Sequence, residues 1–164
     1  MTLSKAHRET SRYPDVIPFY IIELPYITRN MREEYKRWLS EAKWDLDTAK
    51  ILHENGRYNA SVFYSYQVAE KAVKALLYYI NEAPWGHSVR ILLERYFEAI
   101  RKHKDEELMN MARELDRHYI PSRYPNAHPA GTPHEAYDSS VSKRVLQAAE
   151  KVLKFVERET LERA

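Results

Sequence analysis

From Met31 onward, apolar residues return every three or four positions, and that interval constrains the fold more than any motif in the chain. Tyr35, Trp38, Leu39, Ala42, Leu46, Ala49 and Leu52 share one helical face at this spacing. Gly56 stands where a helix-ending residue belongs. A second stripe of Phe63, Tyr66, Ala69, Val73, Leu76 and Leu77 predicts a helix from about Asn59, a cap-forming residue, to Tyr79. After the break APWGHS, Ser88 is the expected N-cap of a third helix carrying Val89, Leu92, Leu93, Tyr96, Phe97 and Ile100. Asp105 is the expected cap of a fourth, with Leu108, Met111, Ala112 and Leu115 inside and Pro121 and Pro125 ending it. Ser139 or Ser140 opens the last, whose stripe is Val141, Val145, Ala149, Val152, Leu153 and Val156. Short links between amphipathic helices predict an all-α, up-and-down bundle of about five helices. Glycine usage agrees, since three glycines in 164 residues are too few for tight-turned sheets or phosphate-cradling loops.

Residues 1–30 lack the helical period. They hold three of the eight prolines and an aromatic, β-branched run, so they are expected to form an extended arm, with a short strand over 19–24. The division expected is therefore an arm over 1–30 and a helical bundle over 31–164. VIPFYIIELPYI, residues 16–27, is the most apolar stretch, but Pro18, Glu23 and Pro25 interrupt it. It reads neither as a membrane span nor as a signal peptide. Cysteine is absent, which excludes thiolate chemistry and disulfides and suits a reducing cytoplasm. A net charge of +2 requires any nucleic-acid site to be a local patch.

Such a patch lies at the end of the fourth helical stripe. Residues 111–131 read MARELDRHYIPSRYPNAHPAG, with three arginines and two histidines. Arg113 and His118 are separated by four residues, and Arg123 and His128 repeat that spacing. On a helix a step of five turns side chains apart, by about 140° and 7.5 Å. In a loop bent by Pro125 and Pro129 the second pair has more freedom to converge. Histidine suits proton transfer near neutral pH, and arginine suits a planar grip on phosphate. Tyr119 and Tyr124 could stack a base. Together these groups suit RNA cleavage without a metal. The plainer alternative is that Arg113 and Arg117 pair with Asp116, Glu114 or helix carbonyls while His118 caps the helix.

Other clusters carry less. Gln67, Glu70, Lys71 and Lys74 lie at i, i+3, i+4 and i+7, which suits a solvated polar face or, alternatively, a polar seam at a subunit contact. His87 reads as a turn residue. His118, His128, His134, Glu135 and Asp138 have no metal-ligand spacing, so no metal centre is expected. No cofactor motif is present either.

The segment WLSEAKWDLDTAKILHENGRYNASVFYSYQVAEKAVKALL, 38–77, resembles the opening helices of HEPN domains (higher eukaryotes and prokaryotes nucleotide-binding). LDRHYIPSRYPNA, 115–127, is similar to the L-D-x-x-Y-I-P-T-R-Y-P-D signature of a prokaryotic branch. The resemblance covers about 31–158. It implies a bundle of about five helices, a homodimer, and often a minimal nucleotidyltransferase as partner in a toxin–antitoxin pair. It also implies either a metal-independent endoribonuclease or a non-catalytic module that binds a nucleotide or a partner. The family's R-x(4–6)-H motif falls best on Arg123 and His128, and second on Arg113 and His118. Arg117, Tyr119 and Tyr124 are then the binding residues, RNA or a nucleotide the ligand, and no membrane is involved.

Overall fold

The computed structural model describes residues 24–163, with side chains from Asn30 on. Residues 1–23, where most of the expected arm falls, lie outside the described residues. The first helix, α1, spans Leu24–Glu54 and so begins before Met31. Pro25 falls in its first turn, where a missing N–H removes no intrahelical bond, so this proline opens the helix rather than excluding it.

Helix α1 ends in a Schellman turn. Gly56 has φ +72°. The Arg57 N–H reaches the Leu52 carbonyl at 2.8 Å, and the Gly56 N–H reaches that of His53 at 3.1 Å. Helix α2, Tyr58–Tyr79, closes the same way on Asn81, and helix α3, Val89–Ala99, on Arg101, with φ of 62° and 54°. Asparagine tolerates this left-handed backbone. For arginine it costs about 1 kcal/mol.

Helix α2 occupies the centre of the bundle, packed on α1, α3 and α6 (Ser139–Leu161). Ala42 and Ala49 of α1 are fully buried, two turns apart, and let the α2 backbone approach closely. In the resulting contact the Ser61 hydroxyl donates to the Ala49 carbonyl at 2.8 Å. The polar row on α2 is not a solvated face: Glu70 is 4% and Lys74 8% exposed. Lys74 pairs with Glu70 at 2.8 Å and lies over the Trp38 ring, while Lys71 pairs with the buried Asp45 at 2.5 Å. These charges can be buried because each is paired across or along the α1–α2 contact.

Helix α4, Glu106–Arg117, starts as expected, with the Asp105 carboxylate accepting the Leu108 N–H at 3.0 Å. Ser88 likewise accepts the Ile91 N–H at 3.2 Å to cap α3. Helix α5, Pro133–Ala136, is a single turn held by a Thr132–Glu135 capping box. The cap of α6 is Asp138, which accepts the Val141 N–H at 2.9 Å, one position ahead of the expected Ser139 or Ser140. Helix α6 runs antiparallel to α1, as its ladder of contacts shows: Lys43–Glu157, Lys50–Glu150 and His53–Ser142. One continuous core includes Tyr66, Leu76, Leu77, Leu92, Leu93, Tyr96, Leu115 and Val152. Among the described residues the architecture is all-α, and no helix is long and apolar enough to cross a membrane.

Candidate functional site

The two Arg–His pairs of the sequence occupy unlike surroundings. Arg113 is on the exposed side of α4, where it donates to Asn110 at 2.6 Å and lies 3.8 Å from Glu106. His118, the C-cap of the same helix, turns inward, with its side chain 14% exposed. Its Nδ1 is 2.9 Å from the Tyr137 hydroxyl and its Nε2 3.4 Å from Glu114. Burial holds the His118 imidazole below its usual range, although Glu114 pulls the other way. Burial also pushes the Tyr137 phenol up to about 12, so it remains a donor. The consistent assignment is a neutral ring that accepts from Tyr137 at Nδ1 and donates from Nε2 to Glu114. Both nitrogens are occupied. Arg144 and Arg117 converge on the same Glu114, at 3.0 and 3.2 Å.

Arg123 and His128 lie on the turn that follows α4, and that turn is closed by side chains. Arg123 Nε donates to the Tyr119 carbonyl at 3.0 Å, His128 Nε2 to the Pro121 carbonyl at 2.7 Å, and Asn59 Nδ2 to the Ser122 carbonyl at 3.1 Å. A loop with prolines has few internal N–H donors, so side chains satisfy its carbonyls. Asn59, expected as a helix cap, serves this purpose instead. No hydrogen bond joins Arg123 to His128.

The guanidinium of Arg123 is seated among three rings, with Cζ 4.7 Å from the centre of Phe63, 4.5 Å from Tyr119 and 4.9 Å from Tyr124. Such cation–π contacts fix its position. Its two Nη groups have no hydrogen-bond partner among the described residues, so the outer edge of the guanidinium is presented. Tyr124 beside it is 47% exposed.

Tyr119 extends this cluster inward. Its ring packs 4.7 Å from that of Tyr66 and stacks on His87 at 5.7 Å and 12°. His87 is thus not a free turn residue. Its Nδ1 is 3.0 Å from Oε1 of the buried Glu70, and its side chain is 65% exposed. The Tyr66 hydroxyl donates to the His87 carbonyl. Asp116 completes the frame: its carboxylate accepts from the Ser88 hydroxyl at 2.6 Å and from the backbone N–H groups of Val89 and Arg90 at 2.7 and 3.2 Å. The end of α4 is thereby clamped to the start of α3, and His87 is carried to the edge of the Arg123 cluster.

Sequence reasoning missed Glu70, His87, Asp116, Phe63 and Tyr137. The spacing of Gln67, Glu70, Lys71 and Lys74 was a local signal, read as a solvated face or a polar seam rather than as part of this cluster. A groove of about 660 Å³ lies elsewhere, between α4 and α6, walled by Arg144–Glu114 and Lys151–Glu107 ion pairs. Among the described residues no three His, Asp or Glu side chains are grouped as metal ligands.

Residues 35–159 match the model of the HEPN domain. The chain is 30% identical over 128 residues to the Methanocaldococcus jannaschii protein named "Putative toxin MJ1304", a match covering 74% of this chain and 84% of that protein. A crystal structure from Thermus thermophilus is similar with a TM-score of 0.72 and 36% identity, covering 76% of this chain and 96% of the other. A HEPN domain protein of Thermotoga maritima is similar with a TM-score of 0.62 and 37% identity, covering 78% and 99%. With the helical bundle and these matches in agreement, the chain belongs to the HEPN domain family.

Proposed function

We propose that this chain is a toxin-type HEPN ribonuclease that cleaves RNA without a metal, using Arg123 to hold the scissile phosphate. The observation that carries this reading is the presented guanidinium: Arg123 is fixed by the Tyr119 carbonyl and three aromatic rings, with both Nη groups unpartnered among the described residues. A planar donor pair held in advance suits two non-bridging phosphate oxygens. Tyr124 offers an exposed face for a base, with Tyr119 beneath the guanidinium and Arg117 nearby in sequence as a second cation. A histidine then moves the proton, and His128 is the candidate on the same turn. The relative's name, toxin, supports the same reading. Incubation of the protein with single-stranded and structured RNA in EDTA tests it. Cleavage that Arg123→Ala abolishes is expected; intact RNA, or cleavage indifferent to both Arg123→Ala and His128→Ala, overturns it.

A second reading is supported by the turn itself, where Arg123 and His128 are each committed to a carbonyl and not to each other. On this reading the domain is a non-catalytic module, homodimeric, that binds a nucleotide beside a nucleotidyltransferase. Calorimetry with ATP and co-purification with a nucleotidyltransferase encoded alongside it are the tests. If neither ATP nor such an enzyme binds, the second reading fails.

A further inference from the structure

His87 and His128 each use one ring nitrogen within the protein, but not the same one. A carbonyl only accepts, so His128 carries its proton on Nε2 and gives it to Pro121. What remains is Nδ1, the nitrogen nearest its own backbone. Glu70 Oε1 accepts from Lys74 and also faces His87, so His87 carries its proton on Nδ1. What remains there is Nε2, on a side chain 65% exposed.

The His87 arrangement is that of an oriented base. A buried carboxylate fixes the tautomer and the ring plane, and it stabilises the imidazolium that forms when Nε2 takes a proton. The ring also stacks on Tyr119, with centres 5.7 Å apart and planes 12° from parallel. The same Tyr119 ring carries Arg123. With His87 5.7 Å and the guanidinium carbon 4.5 Å from its centre, the two groups are at most about 10 Å apart. A ribose 2′-oxygen and its own phosphate, each reached by one hydrogen bond, require a separation no longer than that limit.

We infer that His87, oriented by Glu70, is the general base of the site whose phosphate clamp is Arg123. This assignment rests on the ribonuclease reading above. In the step proposed, His87 Nε2 takes the 2′-OH proton. The freed oxygen forms a bond to phosphorus, the bond from phosphorus to the 5′-oxygen breaks, and that oxygen takes a proton from water; the hydroxide left behind takes the proton from the His87 imidazolium, restoring the base. The products are a 2′,3′-cyclic phosphate and a 5′-hydroxyl. His87 is the catalytic residue here and Glu70 a positioning residue.

The test uses the full chain, a defined single-stranded RNA and EDTA. His87→Ala is expected to lower the cleavage rate about a hundredfold or more while RNA affinity stays within threefold, and added imidazole is expected to restore part of the rate. Glu70→Gln is expected to lower the maximal rate with little change in the RNA concentration needed. A substrate whose leaving 5′-oxygen is replaced by sulfur needs no acid, and it is expected not to rescue His87→Ala. Rescue by that substrate, or a His87→Ala rate within threefold of the parent, overturns the assignment. Loss of cleavage on His128→Ala with His87→Ala intact overturns it too, and leaves the Arg123 reading standing. An unmodified protein that binds RNA but never cuts it removes both.

Discussion

Arg113 with His118 and Arg123 with His128 have the same spacing and opposite fates. On α4, helical geometry sends the arginine to solvent and the histidine into the core between Glu114 and Tyr137. On the turn that follows, the backbone supplies carbonyls instead of a ladder, and both side chains are recruited to close it. Spacing alone therefore does not define a site. What distinguishes the second pair is that closing the turn leaves the outer edge of a guanidinium presented, whereas the first pair is engaged by its neighbours.

The largest expected break in this contrast comes from the arginines. Arg123→Ala should weaken binding of single-stranded RNA roughly tenfold to a hundredfold, the scale of one charged hydrogen-bonding group. Arg113→Ala should change it less than about twofold, as an exposed residue engaged with its own helix. Fluorescence anisotropy at fixed salt checks both, and equal losses would erase the distinction. Next comes Asp116, inside the first pair. Asp116→Ala removes three hydrogen bonds at the start of α3, and urea unfolding should show a loss of about 2 kcal/mol.

A smaller effect follows from pH. The ordinary value for His118 is 6.5 and burial lowers it in the fold, so the unfolded chain takes up that proton more readily. Its contribution is fully present above pH 6.5 and is lost as pH falls below that value. Burial would raise Glu114, but hydrogen bonds from Arg144 and His118 outweigh it and hold the carboxyl below its ordinary 4.5, so its own loss begins only in more acidic solution. Melting temperatures between pH 7 and 4.5 should fall for the parent protein and fall less for His118→Gln. Smallest of all is Ser122, buried on the turn with a hydroxyl that has no partner among the described residues. Ser122→Ala should leave stability within about 1 kcal/mol of the parent, or raise it, in urea titrations.

Local rules made the helices legible. Ser88, Asp105 and Gly56 act where the sequence put them, because caps and stops depend on neighbours one turn away. Asp138 displaced Ser139 and Ser140 because three adjacent cap-formers cannot be ranked without the backbone angle. Glu70 and Lys74 were misread because their burial depends on Trp38 and His87, which come from other elements. The Arg123 segment was legible as cationic, and its seat on Phe63 was not, since the two are far apart in sequence. His87 meets its partners Glu70 and Tyr119 only when α2 and the segment after α4 are both in place.

The start of a helix attracts negative charge, and α3 opens close to the Arg123 cluster. Its first amides are already taken by Asp116. The protein thus carries its own tethered anion, a permanent occupant of the place where a phosphate would otherwise settle. An external anion finds those amides already engaged, at 2.7 and 3.2 Å. Asp116 therefore does more than cap: by filling the positive end of α3 with the chain's own carboxylate, it closes that helix start to outside charge.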